Sequence, residues 1–268
     1  MDDTSFIRLG VFAGVFVTMA ALEAWLPARR AALRKRTRWQ GNLAMVVLGA
    51  LAARVVLPAT LAGVAMWAGD QSVGLFNQIS VHPFVAVALS MLLLDVAIYW
   101  QHRLFHAVPL LWRLHKVHHA DSHTDTTTGL RFHPLEIVLS LFVKAAVIIL
   151  LGAPVMAVLI FEIALNAFSI FNHANIRLPQ RWDDRLALVL ITQRLHRIHH
   201  SQHSRETNRN FGFSVTWWDR LFGSYTPRAA QSDEMLDIGL KEYPPSSSSA
   251  GILALLSMPF KPGKTKSD

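Results

Sequence analysis

The stretch "QHRLFHAVPLLWRLHKVHHADSH" (101–123) puts six of the chain's 13 histidines into a segment rich in Leu and Trp. It continues directly from an apolar run at 82–101. A helix needs about 20 such residues to cross the hydrocarbon core of a bilayer. Further apolar runs lie at 5–26, 42–67, 135–151 and 154–172. The last two are shorter and are parted by "GAP" (152–154), where Gly and Pro predict a tight turn. Whether that pair spans fully or is re-entrant, both its ends emerge on the same side.

Composition supports a membrane reading. The chain has 268 residues, 52% hydrophobic and only 16% charged, against about 25% charged in a soluble domain. The expected fold is all-α: a multi-pass helical membrane protein of about five membrane helices with a cytoplasmic helical cap. Cysteine is absent, which excludes disulfides, thiolate metal sites and a Cys nucleophile. The net charge of +8 does not indicate nucleic acid, because much of it sits in short loops beside apolar runs, where it orients a membrane protein. The chain opens Met1-Asp2-Asp3, acidic where a signal peptide is basic, so 5–26 is read as a retained helix.

Orientation follows from Lys and Arg. "ARRAALRKRTR" (28–38) carries six of them, whereas 68–80 carries none. Positive-inside logic puts 28–38 in the cytoplasm, together with 102–134 and everything after 173. The expected location is a bacterial-type cytoplasmic membrane, with the histidines on the cytoplasmic side. Residues 1–80 read as N-terminal membrane helices and loops, 81–228 as the functional domain, and 229–268 as a flexible tail containing "PPSSSSAG" (244–251). "ILALLSMPF" (252–260) is expected at the membrane surface, and the closing "KPGKTKSD" is expected to be disordered.

"HKVHH" (115–119) is echoed by "HRIHH" (196–200). Residues three and four apart share a helix face, so each HxxHH sets imidazoles on one stripe. His102 and His106 form a further i, i+4 pair; His173 and His133 fall where the fifth apolar run ends and the fourth begins. Candidate metal ligands are therefore His102, His106, His115, His118, His119, His133, His173, His196, His199 and His200. One tetrahedral ion needs four ligands, so this number implies two metals. Imidazole suits Fe, Zn, Cu and Ni alike. His123 and His203 follow the motifs as outer or solvated groups, and His82 lies at the opposite membrane face. No catalytic residue beyond the ligands is assigned.

"HRLFH", "LWRLHKVHH", "RFHPLE", "NHAN", "HRIHH" and "WWDRLFGSY", in that order over about residues 85–228, resemble the fatty acid hydroxylase/sterol desaturase superfamily of integral membrane di-iron enzymes. The resemblance implies two Fe ions, with Zn as a possible substitute, and O2 as co-substrate. The implied reaction is hydroxylation or desaturation of a lipid C–H bond. No HPGG-type haem-binding segment occurs, so no haem is expected, and electrons must come from a separate ferredoxin- or cytochrome-type reductase system. Some relatives carry a further histidine one turn before His173; the neighbourhood here reads "AFSIF", and His133 is the candidate to take that place. The competing reading is a membrane metal-binding or transport protein without redox catalysis. Transport predicts ionisable residues through the bilayer midplane, whereas these histidines gather on one side.

Three polar residues are expected to support the ligands. Asp95 lies two turns before His102 on one face, and metal-bound histidines commonly donate their outer N–H to a carboxylate. Glu162 and Asn166 precede His173 along one stripe of the fifth run, a placement equally open to lining a polar end of a substrate tunnel or to packing helix against helix. Glu136 opens the fourth helix, where a carboxylate favours the helix dipole. "WWDRLFGSY" reads as a structural latch, with Asp219 and Arg220 as an ion pair.

Overall fold

A computed structural model of the chain describes residues 3–261. The expected disorder of the closing residues falls, after Lys261, outside the described residues, as does the acidic Met1-Asp2 opening. Five helical stretches are long and apolar enough to cross a membrane. They include α1 (Asp3–Trp25), α2 (Lys35–Val56), α5 (Pro83–Ala107), α7 (Pro134–Leu151) and α8 (Val155–His173). Between them lie α3 (Leu61–Asp70) and α4 (Leu75–Gln78), then α6 (Pro109–His119). Trp25, Val55 and Leu150 are each more than two-thirds exposed, which suits a surface facing lipid rather than water.

The breaks have local causes. The run read as one segment at 42–67 is divided: α2 stops before Leu57-Pro58, and α3 restarts behind Thr60, whose Oγ1 accepts from Gly63 N at 3.0 Å. Pro58 removes an amide donor and drives its predecessor out of helical geometry. Pro109 likewise separates α5 from α6. The turn after α7 is built on Gly152, whose φ of 62° closes the helix in the left-handed region. Leu94 and Ile98 of α5, Ile148 of α7, Val158 and Phe161 of α8 and Leu61 of α3 interlock in the main apolar core.

The other side of the bundle is polar and helical in short pieces: α9 (Gln180–Leu186), α10 (Gln193–His199), α11 (Ser204–Thr207) and α12 (Trp217–Leu221). Its loop 120–131 is clamped from below. Buried Arg38 of α2 meets Asp121 through two 2.7 Å bonds and Asp125 through one of 2.6 Å. Burial favours the neutral Asp121 carboxyl, yet the Arg38 guanidinium overrides this and holds it below the usual carboxylate range. Arg38 is thus a buried structural cation rather than only a loop charge.

Residues 229–261 differ from the flexible tail expected for them. Helix α13 (Ile252–Ser257) and the turn after it bury Leu255 and Met258 against Met45 of α2 and Val117 of α6. Burying two large apolar side chains is worth about 1.5–3 kcal/mol each, which anchors this segment despite the serine run before it.

Candidate metal centre

Two groups of imidazoles form where α5, α6, α8 and α10 meet. His102, His106, His115, His119 and His199 offer ligand atoms within 4.8 Å of one another, and His118, His173, His196 and His200 do the same. The HxxHH echo explains the division. On a helix, residues four apart are rotated by only about 40°, while the one between them at the third place looks aside. His115 and His119 therefore enter the first group and His118 the second. In α10 the roles are exchanged: His196 and His200 enter the second group and His199 the first.

The outer nitrogens fix how the rings face. In the first group, His102 Nδ1–H donates to Phe211 O at 2.7 Å, His115 Nδ1–H to Glu136 Oε1 at 2.7 Å, and His199 Nδ1–H to Arg209 O at 2.8 Å. His106 Nδ1–H donates to Asn208 Oδ1 at 3.3 Å. Each of these four acceptors forces the proton onto Nδ1 and leaves a lone pair on Nε2. The Nε2 atoms of all five rings are buried with no hydrogen-bond partner among the described residues. Five convergent orphan nitrogens, four of them with a fixed lone pair, fit a cation.

In the second group, His173 Nδ1–H donates to Ser169 O at 2.6 Å. Its Nε2 lies 3.0 Å from that of His118, 2.8 Å from that of His196 and 3.2 Å from that of His200. Adjacent nitrogens each about 2.1 Å from one shared metal would stand about 3 Å apart, so this spacing also fits an ion. Burial, reinforced by neighbouring imidazoles, pushes His118, His119, His196, His199 and His200 well below the ordinary histidine range. The rings are thus neutral near pH 7, as metal ligation requires.

Several expectations need correction. His133 joins neither group. Its Nδ1 accepts from Leu135 N at 3.2 Å, capping α7, and its Nε2 lies 3.3 Å from Leu256 O of the packed C-terminal segment. Position explains this: Pro134 begins the helix, so His133 is its cap and its ring is spent on the helix end. Asp95 supports neither His102 nor His106. Its carboxylate accepts from Ser214 Oγ and Trp218 Nε1, pinning the latch segment to α5. Glu162 pairs with Arg8 at 3.1 Å, and Asn166 Nδ2 donates to Glu162 O at 2.8 Å. Neither touches a ligand ring. His82 caps α5, and His123 and His203 lie outside both groups; burial and then the Arg38 charge lower His123 to about 4.

The carboxylate that does hold one of these rings is Glu136, read from the sequence as a helix-dipole residue. Asp219 is not ion-paired with Arg220. It accepts from Phe211 N at 2.8 Å and Gly212 N at 2.9 Å, and so fixes the carbonyl that orients His102. Arg220 instead lies over the Tyr225 ring. Phe211 and Arg209 carry no sequence signal because main-chain acceptors leave no residue signature, and Asn208, which accepts through its side chain, lies 102 residues from His106 with no motif to mark it.

A cavity of about 330 Å³ opens beside the histidines, lined mainly by apolar groups such as Ile98, Phe105, Leu130, Phe132 and Phe213. His102 and His115 of the first group and His118, His173 and His196 of the second also line it.

Comparison with known proteins agrees in scope. The fatty acid hydroxylase family model matches residues 87–224. The chain is similar to an ornithine lipid hydroxylase of Rhizobium tropici, 32% identical over 177 residues, covering 65% of this chain and 50% of that protein. It is also similar to an alkylglycerol monooxygenase of Danio rerio, 30% identical over 148 residues, or 55% of this chain and 31% of that one. A cholesterol 25-hydroxylase of Rattus norvegicus is 29% identical over 154 residues, or 57% of this chain and 50% of that one. The chain thus spans half or less of the length of these relatives. No solved structure matches it.

Proposed function

Because the chain belongs to the fatty acid hydroxylase family, we propose that it is a membrane oxidoreductase that hydroxylates or desaturates a lipid C–H bond, using O2, two irons and electrons from a separate donor. The observation that carries this reading is the set of five inward Nε2 atoms without a hydrogen-bond partner among the described residues, on rings four of which are held through Nδ1 by fixed acceptors, set against an apolar cavity. The first metal is assigned to His102, His106, His115, His119 and His199, and the second to His118, His173, His196 and His200. The family uses iron, and iron bound here supplies the redox capacity to activate O2, which zinc lacks.

The protein's part is position and exclusion of water. Glu136, Phe211 and Arg209 hold the rings of the first group in one orientation. The apolar walls let a lipid leave the bilayer sideways without entering water. At about 330 Å³ the cavity sits near the lower end of the 300–1,000 Å³ typical of small-molecule sites, which suits one acyl chain or a compact ring system better than a whole phospholipid. The working unit is placed at residues 81–228, with the histidines facing the cytoplasm and the basic 28–38 segment beside them. Metal transport accounts less well for the same features, since the imidazoles gather at one end of the bundle. Metal analysis of purified protein, paired with lipid profiles of cells with and without the gene, tests the proposal. Two irons per chain and lipids gaining one oxygen or losing two hydrogens are expected; one zinc, or unchanged lipids, would refute it.

A further inference from the structure

The cavity is apolar along most of its length but does not end in an apolar wall. Its lining on α7 begins at Glu136, beside the histidines, and runs to Lys144. These residues are eight apart, so at 1.5 Å per residue the ammonium-bearing turn lies about 12 Å deeper along the helix. On α8 the lining runs from His173 back to Leu165, so Lys144 sits at the end remote from the metal groups. Among the described residues it is the sole Lys or Arg lining this cavity.

The simplest reading of Lys144 is charge balance for Glu162 in the bilayer. The contacts do not support it. Glu162 pairs with Arg8 of α1 through Oε1 at 3.1 Å, while its Oε2 is buried without a hydrogen-bond partner among the described residues. Among those residues no ion pair joins Lys144 to Glu162, although the two charges are close enough to sense one another. A cation inside the hydrocarbon region is costly and marks a functional site unless it is paired. Lys144 carries three N–H donors, and the neutral polar residues that line the cavity with it are Gln101, Ser140, Asn166, Ser169 and Asn172.

We propose that Lys144 is a specificity-determining residue that selects lipids bearing an oxygen acceptor (hydroxyl, carbonyl or carboxylate) about 12 Å from the carbon presented to the histidines. The Arg8–Glu162 pair behind it keeps the site cationic overall, so the acceptor's own charge or dipole completes the balance. The proposal rests on the lipid-oxidising reading above, and deepens it by naming what the far end of the substrate must carry.

Photolabelling tests it without turnover. Three probes are added to the iron-loaded protein in lipid nanodiscs: a decanol with a diazirine at its methyl end, the matching decanoic acid, and the matching alkyl diazirine with no oxygen. A hydrogen bond to a charged group is worth about tenfold or more in occupancy. Both oxygen-bearing probes should therefore label peptides containing Ile98 or Phe132 about tenfold more than the oxygen-free one. Lys144→Met should remove that excess, and Lys144→Arg should keep part of it. Equal labelling by all three probes in the wild-type protein overturns the proposal, as does an excess that survives in Lys144→Met. Should Lys144→Met fail to fold, the wild-type contrast alone decides. A protein that yields no oxidised lipid yet shows the contrast refutes the enzymatic reading; one that oxidises lipid without the contrast refutes the role of Lys144 alone.

Discussion

Replacing Glu136 isolates what a single outer carboxylate does for a buried imidazole. Its Oε1 receives the His115 Nδ1–H at 2.7 Å, and both side chains are nearly sealed from solvent. Removing such an outer partner costs about 10–100-fold in metal affinity, or about 1.4–2.7 kcal/mol at 1.36 kcal/mol per decade. Glu136→Ala should fall at the upper end, because a buried N–H is also left unpaired. Glu136→Gln should lose about tenfold, since an amide oxygen still accepts the bond but carries no charge. The competing account is that Glu136 serves only the N-terminus of α7, an effect of about 0.3–1 kcal/mol. The two accounts differ in their dependence on metal. Titrating each variant against a calibrated chelator, with melting measured on metal-loaded and metal-free protein, separates them. The reasoning is refuted if Glu136→Ala holds metal as tightly as wild type while both forms lose the same stability.

His133→Ala should keep full metal content and lose about 1 kcal/mol of stability, the usual worth of a helix cap, whereas His199→Ala should lose metal and turnover; metal analysis of both variants checks the division. Gly129→Ala should disturb the second group selectively: an added Cβ would stand 2.3 Å from Ser169 O, the acceptor of the His173 Nδ1–H, so metal stoichiometry should fall below two, and an unchanged value would contradict this. Metal-free protein should weaken steeply as pH falls below about 6.5, the ordinary histidine value. Burial depresses His118, His119, His196, His199 and His200 in the folded state, so the unfolded state binds more protons there and stability rises with pH. Each ring contributes up to about 1.4 kcal/mol per pH unit, and a melting temperature that is flat between pH 7 and 5 would exclude it.

Most of the fold and most of the clustered histidines could be read from the sequence because both rest on periodic patterns. Apolar run length marked the five spans, i, i+3, i+4 spacing picked out eight of the nine histidines that come together, and His173 followed from its place at the end of the fifth run. His133 failed because spacing cannot tell a ligand from a cap; the proline after it was the available signal. Asp95 failed for a different reason. A shared helix face shows that a carboxylate and a histidine are neighbours on one element, but not which element packs against them, and Trp218 and Ser214 arrive from more than a hundred residues away. The tail was misread from its serine run, while the decisive residues, Leu255 and Met258, lie beyond it.

Bringing nine neutral imidazoles together without solvent is unfavourable for the apoprotein, so the scaffold must hold them by means other than the metal. The polar clamps supply that. Asp95 ties Trp218 to α5, and Asp219, the next residue, accepts the amides of Phe211 and Gly212. Phe211 then offers its carbonyl to His102. This relay begins on α5 and returns to it, linking the helix that carries His102 and His106 to the loop that orients His102. Arg38 does the corresponding work beneath α6 by fixing the loop that follows His119. "WWDRLFGSY" therefore has no residue in either histidine group or in the cavity lining, yet it sets the direction of the His102 ring. It follows that damage to the latch should resemble loss of a ligand rather than simple unfolding.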